Sequence, residues 1–221
     1  MTVSRRKFIK LSLNSAVVLS AGNIMQPFDS GFFIPASSEN ISMRFAIASD
    51  GHYGEDKTQF EMLHDQMIQW INAEKQNRGV DFTLINGDII HNDFSFLTAA
   101  KKKWDKLAMP YYVSHGNHDQ TSEAYWESLW NRKWHFAFNK KGAAFLVLNS
   151  ADDRGNYICP DVEWRKFQLE KFADKKHLFV FMHITPFSWT GAGLPCPDIV
   201  DLFNKQQNLK AVFHGHDHDQ D

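Results

Sequence analysis

The chain is 221 residues long, 43% apolar and 23% charged, with a formal net charge of −2. That balance excludes a disordered chain and lacks the basic excess of a nucleic-acid-binding surface, so no stable nucleic-acid partner is expected. The length suits one domain with a sizeable core behind a leader.

The chain opens with Ser4-Arg5-Arg6-Lys7-Phe8-Ile9-Lys10 and a mildly apolar stretch, Leu11 to Ala21. That stretch is too short to span a bilayer and is broken by Ser12, Asn14, Ser15 and Ser20, so no transmembrane segment is expected in the mature form. The paired arginines, Phe8 two places on and Lys10 resemble a bacterial twin-arginine export signal. The resemblance implies passage of a folded chain through the twin-arginine translocation machinery to the periplasm or the exterior. Residues 22–40, with Pro27, Gly31 and Pro35, read as a linker, so 1–40 is leader and linker and 41–221 the domain. Removing residues 1–30 takes four of the 24 basic and one of the 26 acidic residues, leaving a net charge of −5.

Past the linker, apolar runs alternate with helical patterns, as in an α/β sheet. Met43 to Ser49 reads as a buried strand ending in Asp50-Gly51-His52, followed by a helix patterned on Phe60, Leu63, Met67, Ile68 and Ile71. Val80 to Ile85 is a strand ending in Asn86-Gly87-Asp88. A helix near Phe94 to Leu107 leads into Tyr111 to Ser114, which ends in Gly116-Asn117-His118-Asp119. Trp134 to Phe138 and Ala143 to Leu148 make a hairpin, and Pro160-Asp161 opens a helix to about Ala173. Leu178 to Met182 ends in His183, and Ala211 to His214 ends in Gly215-His216-Asp217-His218. One Asp or Asn at a strand tip is usually a turn former. Here five tips each offer Asp, Asn or His, and the carboxyl ends of strands are where open α/β sheets build sites. The chain holds 11 histidines in all. The two cysteines, Cys159 and Cys196, sit in no zinc-ribbon spacing; they could pair in an exported protein or remain buried thiols.

In order, Asp-x-His, Gly-Asp, Gly-Asn-His-Asp, a strand-end His and Gly-His-x-His resemble the calcineurin-like metallophosphoesterase signature, across residues 43–218. The resemblance implies a four-layer α-β-β-α sandwich and hydrolysis of a small phosphate ester by a hydroxide bridging two metal ions. One ion would be held by Asp50, His52, Asp88 and His218, the other by Asp88, Asn117, His183 and His216, with Asp88 as the bridge. Such mixed imidazole, carboxylate and amide donors suit Mn, Fe or Zn. His118 would be the catalytic residue, a general acid facing the leaving oxygen. His115 and His214, each preceding a motif glycine, read as packed or supporting histidines. Trp189, in the loop after His183, is a candidate substrate wall.

Two departures stand out. Where many relatives place the aspartate that orients the general acid, this chain has His91, which leaves Asp93 or His91 itself to do so. The chain also stops three residues after His218, so the expected sandwich lacks some C-terminal strands. Two divalent ions and two carboxylates leave two formal positive charges, which a diester and a hydroxide cancel, whereas a monoester dianion overshoots. No arginine sits in a motif, although Arg154 in the 150–158 loop could move in, and Leu148-Asn149-Ser150 with Glu163-Trp164 resembles class III cyclic-nucleotide phosphodiesterases. A diester is therefore favoured over a monoesterase or nucleotidase. A nuclease, suggested by Gly-Asp-x-x-His, is opposed by the acidic charge, and a non-catalytic scaffold by the complete ligand set.

Overall fold

The computed structural model describes residues 43–188 and 191–218, together with the backbone of residues 16–20. Eight strands form two sheets. The first, in order β1-β2-β3-β4, comprises β1 (Ala16–Ser20), β2 (Phe45–Ser49), β3 (Phe82–Asn86) and β4 (Tyr111–Ser114), all parallel. The second, in order β5-β6-β7-β8, comprises β5 (Phe136–Lys140), β6 (Ala143–Leu148), β7 (His177–Met182) and β8 (Leu209–Phe213). There β5 and β6 are antiparallel and the other pairs parallel. Lys141 and Gly142 both have positive φ, 48° and 80°, the two-residue turn that matches strand twist. The strand therefore runs two residues beyond the predicted Phe138.

Strand alternation divides the core into three layers. Phe45 and Ile47 of β2 and Phe82 and Leu84 of β3 face Phe145, Val147 and Phe181 between the sheets. Phe45 and Phe82 meet Phe145 edge-on, with ring centroids 5.7 and 5.1 Å apart. Burying each such ring contributes about 2–3 kcal/mol, so this aromatic layer sets how the sheets sit on each other. The alternate residues, Ala46 and Ala48, face α1 (Phe60–Arg78), α2 (Leu97–Trp104) and α3 (Glu123–Trp130) through Met67, Ile71, Trp104 and Trp126. On the far side, Ala144, Leu146, Val180 and Met182 pack on α4 (Val162–Lys171) and α5 (Pro197–Lys205) through Leu169, Ile199 and Phe203. The order helix, sheet, sheet, helix is the predicted four-layer sandwich.

Three elements were not anticipated. Helix α3 is started by Ser122, whose hydroxyl accepts the Tyr125 N–H, and stopped by Asn131 at φ 53°. Helix α5 has Pro197 in its first turn. Strand β1 pairs with β2 from within the segment predicted as leader; the paired arginines and the linker lie outside the described residues.

Because β2, β3, β4, β7 and β8 belong to parallel pairings, their carboxyl tips collect along one edge of each sheet. Asn86 fastens the two edges together. Its side-chain amide donates to the Met182 and Phe213 carbonyls at 3.1 and 3.4 Å, and its Oδ1 accepts from Ser114 Oγ at 2.9 Å.

Candidate metal centre

The strand tips break regular geometry where they carry Asp and His. Asp50, His52, Asp88 and His216 have φ of 57°, 42°, 49° and 69°. Among non-glycine residues Asp and His tolerate this left-handed region better than most, at a cost of about 1–3 kcal/mol each. Backbone bonds fix the turns: Asp50 N–H donates to the Gly87 carbonyl at 3.2 Å and His52 N–H to the Asp88 carbonyl at 2.9 Å. The carboxylates collect backbone donors as well. Asp50 Oδ1 accepts from His216 N–H at 3.0 Å and Asp88 Oδ1 from His118 N–H at 2.8 Å. A Cβ at Gly87 would collide with the His183 ring and one at Gly116 with the Asp88 carboxylate, so both positions require glycine.

Six of the seven predicted ligands fall into two groups, Asp50 with His52 and His218, and Asp88 with His183 and His216. Within each group the donor atoms lie within 4.8 Å of one another. His52 Nε2 is 3.4 Å from His218 Nε2 and 3.8 Å from Asp88 Oδ2, which places Asp88 beside both groups. The seventh, Asn117, precedes the His118 amide bound to Asp88, and its Oδ1 is buried with no hydrogen-bond partner. His216 Nε2 is buried and unpartnered in the same way. His183 Nδ1 donates to the Asn86 carbonyl at 2.8 Å, so a neutral ring turns its Nε2 lone pair on Asp88 Oδ2, 2.9 Å away. Two lone pairs at that separation need a proton or a cation between them. The donor set therefore fits metal ions, with hard carboxylate and amide oxygens mixed with imidazole nitrogens.

The electrostatics say the same. Burial opposes a charge on His183, yet the facing Asp88 and Asp50 carboxylates push it up to about 9. Burial would raise Asp88, but His183 holds it well below the usual carboxylate range. Burial lowers His52 to about 4, keeping its ring neutral and able to ligate. Asp119, fully buried, is raised to about 8 by burial and then by the Asp88 charge, while it accepts the Ile90 and Gly116 N–H groups.

His118 stands at the rim, its ring centroid 4.8 Å from that of His52. The residue that orients it is neither Asp93 nor His91 but Asn92. His118 Nδ1 donates to Asn92 Oδ1 at 2.8 Å, and Asn92 N–H donates back to the His118 carbonyl at 3.0 Å. Asp93 instead caps a 3-10 turn by accepting from Ser95 N–H. His91 Nδ1 lies 3.2 Å from His52 Nδ1 and its ring stacks on His118, so it supports the nitrogen of His52 that faces away from the metal group. His52, His91 and His118 form a third group of close donors, sharing His52 with the first.

His115 is buried between Asn149 Oδ1 and the Asp119 carbonyl and stacks on Trp134, as a packed residue. His214 is exposed by surface area, yet burial against its neighbours still lowers its pKa. Arg154 is exposed in its loop, and Trp189 lies outside the described residues. Asn86, Asn92 and Ser150 look like ordinary turn formers in the sequence, and their roles emerge only in the fold; Ser150 Oγ accepts the Ile184 N–H beside His183. Cys159 and Cys196 are joined in a disulfide between the loops that follow β6 and β7.

A two-sheet α/β sandwich with carboxylates and imidazoles massed at its strand tips has the makings of a metal-binding protein. The sequence model of the calcineurin-like phosphoesterases matches residues 43–220, and the chain belongs to that family. It is a metal-dependent phosphoesterase. The fold is similar to the crystal structure of a dimetal phosphatase from Danio rerio, with a TM-score of 0.62 and 13% identity over 79% of this chain and 81% of that one. A search of curated proteins returned no match.

Proposed function

We propose that the chain is an exported phosphodiesterase with a dinuclear centre. One ion would be held by Asp50, His52, Asp88 and His218 and the other by Asp88, Asn117, His183 and His216, with Asp88 common to both sets. The observation that carries this reading is the meeting of two donor groups at Asp88, whose Oδ2 faces His183 Nε2 at 2.9 Å and His52 Nε2 at 3.8 Å. Mn, Fe or Zn ions bound there would supply a water acidic enough to act as nucleophile and would neutralise charge on the phosphoryl oxygens. The protein's own groups do the rest. Asn92 holds His118 with Nδ1 engaged and Nε2 free to deliver a proton to the leaving oxygen.

The diester preference rests on charge. Among the described residues no lysine or arginine pairs with Asp50 or Asp88; the side chains facing them are the imidazoles of His52, His183 and His218. The centre thus lacks the additional fixed cation that a dianionic monoester would favour, and a monoanionic diester balances it. Export draws on the twin-arginine pattern at Arg5-Arg6 and on the Cys159–Cys196 disulfide, which persists in oxidising compartments. Passage through the translocation machinery in folded form would let the ions be loaded in the cytoplasm.

The test is hydrolysis of bis-p-nitrophenyl phosphate against p-nitrophenyl phosphate by protein reconstituted with Mn, Fe or Zn. The expected result is a higher kcat/KM on the diester, abolished by chelator. Preference for the monoester would make the protein a phosphatase or nucleotidase instead.

A further inference from the structure

The loop joining β6 to α4 lies against the metal centre, yet none of its side chains has a role in the ligand set. Its shape is held from within. Ala151 bridges to Tyr157, Ile158 N–H donates to the Ser150 carbonyl at 3.0 Å, and the Asp152 carboxylate collects the Arg154 and Asn156 N–H groups at 2.9 and 2.8 Å. It is also tied to the ligand-bearing segments. Ser150 Oγ accepts the N–H of Ile184, next to His183, and Gly155, at φ 82°, approaches the Asn117 carbonyl so closely that a Cβ would clash. The disulfide at Cys159 closes the loop's far end.

This frame brings the Tyr157 ring against the centre. The Tyr157 ring stands edge-on to His216, centroids 4.9 Å apart at 87°, while 42% of the residue remains exposed. Its hydroxyl has no hydrogen-bond partner among the described residues. His118 flanks the group that contains His52, and Tyr157 flanks the group that contains His216. A phosphoryl group bound between the two groups would have one on either side.

We propose that Tyr157 is a substrate-contacting residue, whose hydroxyl donates a hydrogen bond to a non-bridging phosphoryl oxygen of the bound ester. The proposal rests on the phosphoesterase reading of the Asp88 centre and deepens it. A neutral donor on the His216 side stabilises phosphoryl charge without adding a cation, which suits the monoanion of a diester. The rigid loop makes the donor preorganised, so little ordering is needed when substrate binds.

The test uses the full chain reconstituted with Mn, as wild type and Tyr157→Phe, with three readouts: metal content, binding of inorganic phosphate by calorimetry, and kcat/KM on bis-p-nitrophenyl phosphate. The variant keeps the ring and loses only the hydroxyl. The expected result is unchanged metal content, phosphate binding weakened about tenfold, and a similar loss in kcat/KM, as for one hydrogen bond to a charged acceptor. Phosphate binding and kcat/KM equal to wild type would overturn the proposal. So would loss of metal in the variant, which would make Tyr157 a prop for His216. If the wild type hydrolysed no ester, the phosphoesterase reading would fail by itself, and phosphate binding by the two proteins would still decide whether Tyr157 contacts the anion.

Discussion

His118 takes its orientation from Asn92 Oδ1, a neutral acceptor that fixes the ring without the charge a carboxylate would bring. Burial lowers its pKa, followed by opposing and reinforcing effects of Asp88 and His91. Its value as a general acid should therefore depend on how badly the leaving oxygen needs a proton. Nitrophenolate departs unaided, whereas an alkoxide does not. His118→Ala should cost little on nitrophenyl esters and about 10²–10⁴-fold on alkyl or nucleoside esters. Steady-state kinetics on both classes, with metal content measured alongside, checks this. Equal losses on both would reduce His118 to a phosphate-oxygen contact.

His183 gives a second residue-scale prediction. In chelator-treated protein its folded pKa, about 9, lies above the unfolded value of about 6.5. The stabilisation is then fully present below about pH 6.5 and lost as pH rises through about 9. The thermal midpoint of the metal-free protein should fall over that window. Metal binding replaces the proton on Nε2, so metal-loaded protein should not show this fall, and loading near neutral pH should release a proton. Melting curves of both forms at several pH values test the sign.

At the scale of elements, the strand tips were legible because each combines a buried apolar run with a residue type that strands rarely end on by chance. Asp50, Asp88, His183 and His216 come together through the parallel order of β2 with β3 and of β7 with β8, and through the packing of the two sheets on each other. The helices were less legible. Helix α3 is eight residues long, and its Tyr125, Trp126 and Trp130 read equally well as scattered core or rim aromatics. Helix α5 is nine residues long and directly follows the loop that holds Trp189. Asn92 and Asn86 were opaque for a different reason. A lone Asn in a turn sequence does not say which distant group its amide meets, and both partnerships cross between strand tips. The two cysteines were visible, but their pairing depended on loops whose approach the sequence does not encode locally.

That disulfide carries its own prediction. It spans a sequence separation of 37 residues, so closing the loop should stabilise the fold by about 2–4 kcal/mol. Reduction, or the double change Cys159→Ser with Cys196→Ser, should lower the thermal midpoint measurably. No ligand lies on either cysteine, so two ions should remain bound; their loss would mean that the loops themselves hold the centre together.

At the scale of the molecule, two sheets share an aromatic core and each carries its helices on the outer face. This brings strand tips from both sheets to one edge, where Asn86 links them. The centre is built across that seam: Asp50, His52, Asp88 and Asn117 come from the first sheet, and His183, His216 and His218 from the second. Neither sheet alone supplies a complete set of donors. Metal binding should therefore stiffen the whole sandwich rather than one loop, as expected when ligands are drawn from both halves of a fold.

The dinuclear centre is tested most simply by the anomalous scattering of crystals soaked or grown with Mn. Two peaks about 3.5–4 Å apart are expected on either side of Asp88, one beside His52 and His218 and the other beside His183, His216 and Asn117. A single peak, or a peak seated among His52, His91 and His118 with none at His183, would contradict the dinuclear centre.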